Sequence, residues 1–394
     1  MNRRIAEFRA VENEGAELNV PFNKPYLTGK ELAYIADVLS ARSLAGDGAY
    51  TRRCNAWFED QIGCPTALLT HSCTAALEMA ALLVDLQPGD EVLMPSFTFS
   101  STANAFVLRG VLPVFVDIRP DTLNIDEAQL EAAISPRTRA IVVVHYAGVG
   151  CEMDKILEIA KRHDLLVIED AAQAVLSYYK GRPLGSIGEL AAFSFHETKN
   201  VTSGEGGAFM VNDPRYSERA EILWQKGTDR SKFDRGEIDR YRWIDVGSSY
   251  APAEIVSACL WAQLEQAHGI IERRRRIWDT YFEAFAPLER AGKVRRPIVP
   301  DYCTHNAHIF YLLLPNPSAR TAFLSGLRAR GIKSVFHYVP LGTAPAGQRF
   351  GREAGALPVT AAMSARLVRL PVWLGIEEHL PRIVEEAASV LEAL

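Results

Sequence analysis

A lysine lies between a pattern typical of a buried strand and a glycine-rich segment, in SFHETKN (194–200) followed by GEGG (204–207). A lysine amine kept away from water loses part of its affinity for protons. The amine of Lys199 can then act as a nucleophile and form a Schiff base with a carbonyl compound. Glycines let the backbone approach a flat ligand closely. A surface lysine in a loop would explain this segment equally well on its own.

A carboxylate follows a strongly apolar segment in IEDAAQ (168–173). At the end of a buried strand, Asp170 is placed to bind the ring nitrogen of a cofactor and keep that nitrogen protonated. In pyridoxal-phosphate (PLP) chemistry this proton makes the ring an electron sink. The alternative is that Asp170 caps the following helix. We expect a structural role for Glu169.

A third segment, THSCTAA (70–76), lies between a strand pattern and a helix pattern. The hydroxyls of Ser72 and Thr74, with free amides at a helix N-terminus, form a potential phosphate site. An ordinary helix cap is the alternative interpretation. The order along the chain is phosphate site, carboxylate and lysine, which is the order found in fold-type I PLP enzymes.

The elements that must position these residues are short apolar segments alternating with helical ones. The predicted strands are 66–70, 91–95, 113–117, 140–145, 165–170, 191–195 and 208–212. Such strands predict an α/β fold in which a mostly parallel seven-stranded sheet is covered on both faces. Ligands of such sheets bind at the carboxyl ends of the strands.

The pattern changes after about residue 252, where a long helical stretch predicts one helix, or two with a break at Gly269. A smaller α+β segment follows, with strands over 307–314 and 332–339 separated by a helix over 319–331. A C-terminal helix ends the chain. We therefore expect a tail over 1–19, a large domain over 20–268 and a small C-terminal domain over 269–394.

The composition excludes several classes of protein. The 394 residues carry a net charge of −5 and are 48% hydrophobic, which argues against nucleic-acid binding, because such proteins usually carry a basic surface. An anionic substrate stays possible, since a local cluster of Arg or Lys can oppose the overall charge. No apolar run is long enough to span a bilayer. The six cysteines form no CxxC pair, so neither a zinc site nor a disulfide scaffold is indicated. We expect a cytoplasmic protein without a bound metal.

Several segments carry a resemblance to a known family. They are GDGAYTRRC (46–54), the stretch 77–110, VHYAGVGCEMD (144–154), SFHETKN (194–200), GEGGA (204–208) and DVGSSY (245–250). From about residue 21 to its end, the chain resembles the DegT/DnrJ/EryC1/StrS family of sugar aminotransferases. The resemblance implies a fold-type I PLP-dependent aminotransferase that works as a homodimer with shared active sites.

The resemblance also implies roles for individual residues in binding PLP. Lys199 would hold PLP covalently and act as acid and base, Asp170 would pair with the ring nitrogen, and Gln173 would lie near the ring's 3-oxygen. The other expected cofactor-binding residues are Ser72, Thr74, Ala75 through its amide, Phe99 as the stacking aromatic, Ser194 and Ser249.

Two positions depart from the family pattern. Ser249 in GSSYA (247–251) stands where many members have an asparagine that reaches the phosphate in the partner subunit. Gly342 stands where relatives often have a histidine. The first departure concerns the contact between subunits, and the second concerns the sugar pocket or only a loop.

For the substrates, the resemblance implies L-glutamate as donor and C4 of a nucleotide-linked 4-keto-6-deoxy sugar as acceptor. The most similar branch of the family converts dTDP-4-keto-6-deoxy-glucose into dTDP-4-amino-4,6-dideoxygalactose for lipopolysaccharide or another surface polysaccharide. The candidate substrate residues are Asp47, Arg52, Arg53, His196 and His337. The segment 46–54 could instead build the dimer interface. Alternatives are amination at C3, a UDP-linked sugar, a sugar dehydratase, and a non-catalytic regulator on the same fold.

Overall fold

The computed structural model describes residues 19–394, so nearly all of the tail expected over 1–19 lies outside the described residues. The α-helices in the described range are α1 (Glu31–Ala41), α2 (Ala49–Ile62), α3 (Cys73–Leu83), α4 (Ser100–Val107), α5 (Leu130–Ala133), α6 (Met153–Arg162), α7 (Ser217–Trp224), α8 (Arg230–Asp234), α9 (Glu254–Leu264), α10 (Ala267–Ala284), α11 (Ala286–Arg290), α12 (Pro317–Ala329), α13 (Pro345–Phe350), α14 (Pro358–Arg366) and α15 (Leu380–Glu392).

The strands of the same range fall into one large and two small sheets. They are β1 (Thr66–Thr70), β2 (Glu91–Pro95), β3 (Leu112–Val116), β4 (Thr138–Val144), β5 (Leu166–Asp170), β6 (Tyr178–Tyr179), β7 (Arg182–Pro183), β8 (Leu190–Ser194), β9 (Gly207–Val211), β10 (Cys303–Thr304), β11 (Phe310–Leu313), β12 (Arg352–Glu353) and β13 (Leu367–Leu370).

The large sheet has the strand order β1-β9-β8-β5-β4-β2-β3-β12. Its neighbouring strands are parallel, except that β9 runs antiparallel to both β1 and β8. The seven strands predicted between residues 66 and 212 are confirmed. The eighth strand, β12, consists of two exposed residues at the sheet edge, and no apolar pattern marks it in the sequence.

Successive residues of the central strands face two separate helical layers. In β4, Ile141 and Val143 pack in the core that includes α2, α6 and α9, whereas Val142 packs in the core that includes α3, α4 and α7. Each such aliphatic side chain contributes about 1.5–3 kcal/mol when fully buried. Burial on both faces explains the uninterrupted apolar runs, and it holds the carboxyl ends of the strands in fixed positions.

A smaller layer follows α10, built around the antiparallel pair β11 and β13. Phe323 and Leu327 of α12 and Ile383 of α15 belong to the same continuous core as α2 and α9. We propose the division of the chain into 20–268 and 269–394 because this pair and its helices come after residue 268. No helix within residues 19–394 is long and apolar enough to cross a membrane.

Two predicted elements differ from the structure. The helical stretch after residue 252 is two helices, but the break lies between Leu264 and Ala267 rather than at Gly269, because Gln266 leaves helical geometry. The strand predicted over 332–339 forms only single bridges, at Ile332 and Val335. Its alternating apolar pattern reflects aromatic side chains that line a cavity, not pairing in a sheet.

Candidate active site

A cavity of about 980 Å³ lies at the carboxyl ends of the central strands, where it is also bordered by the segment 333–338 and by β13. Its position agrees with the rule for open α/β sheets. The predicted site residues that line it are Ser72, Thr74, Phe99, Asp170, Gln173, Ser194, His196, Lys199 and His337. The structure therefore brings the three sequence signals together at one place.

Lys199 lies in the turn that follows β8, where its backbone N–H donates to the carbonyl of His196 at 2.8 Å. Burial lowers the pKa of its amine, and the charge of the Asp170 carboxylate opposes that shift in part. Within residues 19–394 the amine has no hydrogen-bond or ion-pair partner. An amine that is buried, unpaired and easily deprotonated is suited to nucleophilic attack on an aldehyde.

Asp170 is the last residue of β5 and is 5% exposed. Its Oδ2 accepts a hydrogen bond from the Thr102 hydroxyl at 2.7 Å, and its Oδ1 accepts from the amide of Ala172 at 3.2 Å. Burial raises the pKa of the carboxyl group, opposed by the bond from Thr102. No cation pairs with Asp170 in the described part of the chain. A protonated ring nitrogen would supply that missing partner, so the site fits PLP.

The N-terminus of α3 opens onto the same cavity. Ser72 caps this helix, because its Oγ accepts from the amide of Ala75 at 3.1 Å. The amides of Cys73 and Thr74 have no acceptor among the described residues, which suits them for an anion. Gly207 passes so close that a Cβ there would lie 2.4 Å from the carbonyl carbon of Ser72. Glycine is therefore required beside this helix end.

Aromatic side chains line another part of the same cavity. The ring of Tyr338 stacks on His337 with 3.7 Å between centroids and lies 6.4 Å from Phe99, which is 60% exposed. The phenol of Tyr146 bonds Nδ1 of His337 at 2.7 Å, and the amide nitrogen of Gln173 donates to the Tyr338 hydroxyl at 2.8 Å.

Sequence reasoning missed four basic side chains of this cavity, which are Arg274, His308, Lys333 and Arg369. Arg274 belongs to the run 273–276 but lies on the apolar side of α10 with Ile270 and Ile277, and this periodic position was a usable signal. Its Nε and Nη2 donate to the carbonyls of residues 307 and 308 at 3.3 and 2.9 Å. No comparable pattern marks the other three.

Ala75 does not line the cavity, and its amide already donates to Ser72 Oγ. Four further predicted residues lie outside this cavity, namely Asp47, Arg52, Arg53 and Ser249. Asp47 accepts a hydrogen bond from the Gln225 side chain at 3.0 Å, and Ser249 forms a backbone bridge with the same Gln225. The Arg52 side chain is 66% exposed. These residues do not reach the cavity of their own chain.

The segment 46–54 has a structural function at the start of α2. The carboxylate of Glu254 accepts hydrogen bonds from the amides of Gly48, Tyr50 and Thr51 at 2.9–3.0 Å, and from the Thr51 hydroxyl. A Cβ at Gly48 would lie 2.4 Å from the carboxyl carbon of Glu254. Gly48 is therefore needed so that Glu254 can cap the start of α2. The prediction that this segment binds the substrate did not include that structural role.

A buried pair of side chains, His145 and Glu169, lies next to Asp170. His145 and Glu169 are both fully buried, with 2.8 Å between Nε2 and Oε2. The Glu169 carboxylate also accepts from the amides of Gly185, Ile187 and Gly188 at 2.6–2.7 Å. These bonds lower the pKa of Glu169 against the effect of burial. Both residues therefore anchor a loop and do not line the cavity.

A lysine after one strand, a carboxylate at the end of the adjacent strand, and a helix N-terminus in one cavity of a largely parallel sheet define a fold-type I PLP enzyme. The chain belongs to the DegT/DnrJ/EryC1/StrS aminotransferase family, whose model matches residues 25–388. It is a PLP-dependent aminotransferase.

Individual relatives match over nearly their full lengths. The GDP-perosamine synthase of Caulobacter vibrioides is 34% identical, with 93% of this chain and 97% of that protein covered. The spore coat polysaccharide biosynthesis protein SpsC of Bacillus subtilis is 32% identical, with 95% and 97% covered. The PLP form of Spr1654 from Streptococcus pneumoniae superposes with a TM-score of 0.87 at 26% identity, with 95% and 99% covered.

Proposed function

We propose that this enzyme moves an amino group from L-glutamate to C4 of a nucleotide-linked 4-keto-6-deoxy sugar. The proposed acceptor is dTDP-4-keto-6-deoxy-glucose, and the product is dTDP-4-amino-4,6-dideoxygalactose. The observation that carries the proposal is that Lys199, Asp170 and Arg369 line one cavity of about 980 Å³. This is space for a cofactor with a substrate larger than an amino acid. The names of GDP-perosamine synthase and SpsC support a sugar acceptor and a role in polysaccharide synthesis.

The proposed cofactor contacts follow from the cavity walls. Lys199 would attach the cofactor covalently, Asp170 would keep its ring nitrogen protonated and Phe99 would stack on the ring. Ser72, Thr74 and Ser194, together with the N-terminus of α3, would hold the phosphate, whereas the amide of Ala75 is occupied by Ser72 Oγ. When bound, PLP supplies an electron sink for the charge that develops on the donor's α-carbon.

Lys199 is the proposed proton carrier of both half-reactions. Because its pKa is lowered by burial, the released amine is ready to accept the proton from Cα of the donor. The same amine would then return that proton to C4′ of the bound cofactor. One water would be consumed as the donor leaves as a keto acid, and one water would be released when the ketone of the sugar takes up the amino group by the reverse sequence. The protonated ring nitrogen would be the cation that favours the ionised form of Asp170 against the effect of burial, which raises its pKa.

Arg369 is the proposed partner of the donor's α-carboxylate. Its Nε and Nη2 donate to the carbonyl of Phe336 at 3.2 and 3.0 Å, and the ring of Phe22 lies 4.8 Å from its Cζ. No carboxylate of the described residues forms an ion pair with it. A guanidinium held by a carbonyl and an aromatic face, without a counter-ion, matches the two oxygens of a carboxylate.

Asp47, Arg52, Arg53 and Ser249 are proposed to serve the cavity of a partner subunit in a homodimer. Asp47 and Ser249 both contact Gln225, and Arg52 lies 3.7 Å from an Asp47 carboxylate oxygen. Arg53 lies over the ring of Tyr50. The neighbouring side chains of Trp243 and Ile244 are 80% and 49% exposed, which is typical of a surface that packs against another protein. The arginines would meet the diphosphate of the acceptor, and Ser249 would meet the cofactor phosphate.

His196 and His337 remain candidates for the sugar. His196 is close to the mouth, where its Nε2 lies 3.6 Å from a Glu205 carboxylate oxygen. His337 is fixed by Tyr146, and burial followed by the charges of Arg369 and Lys199 lowers its pKa. A neutral imidazole at that place accepts or donates a hydrogen bond to a sugar hydroxyl without a charge.

An end-point assay with glutamate and a panel of keto-sugar nucleotides tests the proposal. The panel contains 4-keto and 3-keto dTDP sugars and the UDP- and GDP-linked 4-keto sugars, with products identified by NMR. We expect the 4-keto dTDP sugar to give the highest kcat/KM. If the 3-keto sugar or another nucleotide is preferred by about tenfold, which is about 1.4 kcal/mol in transition-state binding, the acceptor assignment is wrong. The aminotransferase assignment stands in that case.

A further inference from the structure

The lysine and arginine side chains that line the cavity are Lys199, Arg274, Lys333 and Arg369. Three of them already have a role. Arg274 donates to two backbone carbonyls, Lys199 is the proposed attachment point of the cofactor, and Arg369 is the proposed partner of the donor's α-carboxylate. The amine of Lys333 has no hydrogen-bond or ion-pair partner within residues 19–394. Lys333 is therefore a cation of the cavity without an assigned role.

The backbone places Lys333 and Arg369 on one wall of the cavity. Val335 and Arg369 form an antiparallel bridge and exchange both backbone hydrogen bonds, at 3.3 and 2.7 Å. Lys333 lies two residues before Val335, and both line the cavity, whereas Ile332 and Ser334 are buried and do not line it. Lys333 is thus on the same face as Val335 and is a diagonal neighbour of Arg369, at about 7–8 Å for such a pair.

This spacing matches the two carboxylates of glutamate. Four carbon–carbon bonds of about 1.5 Å separate its carboxylate carbons, which are about 5 Å apart in the extended chain. With about 2.8 Å from nitrogen to oxygen at each end, such a molecule bridges two cations separated by about 7–10 Å. The Arg369 guanidinium is fixed by the carbonyl of Phe336, whereas the exposed Lys333 side chain is free to adjust. Val335 offers an apolar contact for the carbon chain of the donor.

We propose that Lys333 binds the side-chain carboxylate of the amino-acid donor while Arg369 binds its α-carboxylate. The pair selects a dicarboxylic amino acid of the length of glutamate, and no bond is made or broken at Lys333. The inference rests on the proposed function, in which L-glutamate is the donor. The carboxylates that line the cavity are those of Asp170, Glu197 and Glu205, and none of them forms an ion pair with Lys333 in the described part of the chain.

Calorimetry with unreactive analogues tests the contact without turnover. Glutarate carries both carboxylates of glutamate and pentanoate carries only one, and neither has an amine that could react with the PLP-loaded enzyme. We expect the wild type to bind glutarate about tenfold more tightly than pentanoate, the lower end for a hydrogen bond between charged groups because Lys333 is exposed. Lys333→Gln should remove this advantage and leave pentanoate binding unchanged, and Lys333→Arg should keep most of it.

A second lysine near the cavity provides the matched control. Lys24 lies 5.7 Å from the centre of the Trp373 ring and does not line the cavity, so Lys24→Gln should bind both analogues as the wild type does. An equal loss in Lys24→Gln would show a general effect of charge and overturn the proposal. An advantage of glutarate that survives in Lys333→Gln overturns it as well. So does a variant that loses affinity for dTDP alone, since Lys333 then serves the diphosphate of the acceptor.

Single-turnover kinetics separate this inference from the proposed function. Lys333→Gln should lower kcat/KM for glutamate about tenfold, and it should leave unchanged the value for norvaline, which lacks the side-chain carboxylate. If the wild type does not react with glutamate while Lys333 still governs glutarate binding, the proposed donor is wrong and the carboxylate contact stands. If glutamate reacts but Lys333→Gln changes neither glutarate binding nor the preference over norvaline, the inference is wrong and the proposed function stands.

Discussion

Replacing Arg369 by glutamine should impair the half-reaction with the amino-acid donor far more than the half-reaction with the sugar acceptor. Two of the five guanidinium N–H groups donate to the carbonyl of Phe336. The remaining three, on Nη1 and Nη2, have no acceptor in the described part of the protein. The edge they form is preorganised to bind both oxygens of an α-carboxylate.

The magnitude follows from the number of bonds lost. Each hydrogen bond to a charged group contributes about 1.5–3 kcal/mol. Because Arg369 is partly exposed, we take the lower value for each of two bonds, about 3 kcal/mol together. This corresponds to a loss of about 100- to 200-fold in kcat/KM for the donor.

Single-turnover absorbance of the loaded enzyme measures this loss. Glutamate is compared with 4-aminobutyrate, which carries the same chain without the α-carboxylate, so Arg369→Gln should affect glutamate only. Arg369→Lys should fall between the wild type and the glutamine variant. Arg366→Gln is the matched control, because Arg366 donates to the carbonyl of Leu314 outside the cavity. Equal losses with both donors, or a loss confined to the sugar half-reaction, would refute the carboxylate contact.

Three further predictions follow from other contacts. Asp170→Asn should keep the cofactor but slow single turnover with glutamate by about 3–5 kcal/mol, or about 10²–10⁴-fold, whereas near-normal rates would show that Asp170 is only a cap. Glu254→Gln should lower the free energy of unfolding by about 1–3 kcal/mol in urea titrations, because two strong acceptor oxygens at α2 become one; an unchanged midpoint would contradict this. Mixing Ser249→Ala and Lys199→Ala chains should restore activity through heterodimers with one intact site, provided that Ser249→Ala homodimers are impaired; fully active Ser249→Ala homodimers would remove Ser249 from the phosphate site.

The strands of the large sheet were predictable because burial on both faces produces an apolar run with a clear length. Strand β4 is an example, since its last five residues are all fully or almost fully buried. Asp170 and Lys199 were predictable for a related reason: Asp170 ends such a run in β5, and Lys199 lies in the turn that follows another, β8. In open α/β sheets the ligand cavity lies at the carboxyl ends of the strands, so a polar residue at such an end is a good candidate for the site.

The rest depends on contacts distant in sequence. Arg369 and His308 reach the cavity because β11 and β13 are packed over the large sheet, and no local pattern carries that information. The segment 332–339 was wrongly predicted to be a strand. Its apolar alternation arises instead from side chains such as His337 and Tyr338, which line the cavity. The glycines of 46–54 looked like a ligand loop, but they make room for Glu254, which lies about two hundred positions away in the sequence.

The identity of the lysine that holds the cofactor tests the central claim most directly. Borohydride reduction of the purified, loaded enzyme fixes the cofactor to its lysine, and mass mapping of the peptides then identifies that residue. Our account predicts the cofactor mass on the peptide containing Lys199 and no stable attachment in Lys199→Ala. Lys333 also lines the cavity, and a label on Lys333 or on any other lysine would contradict the account.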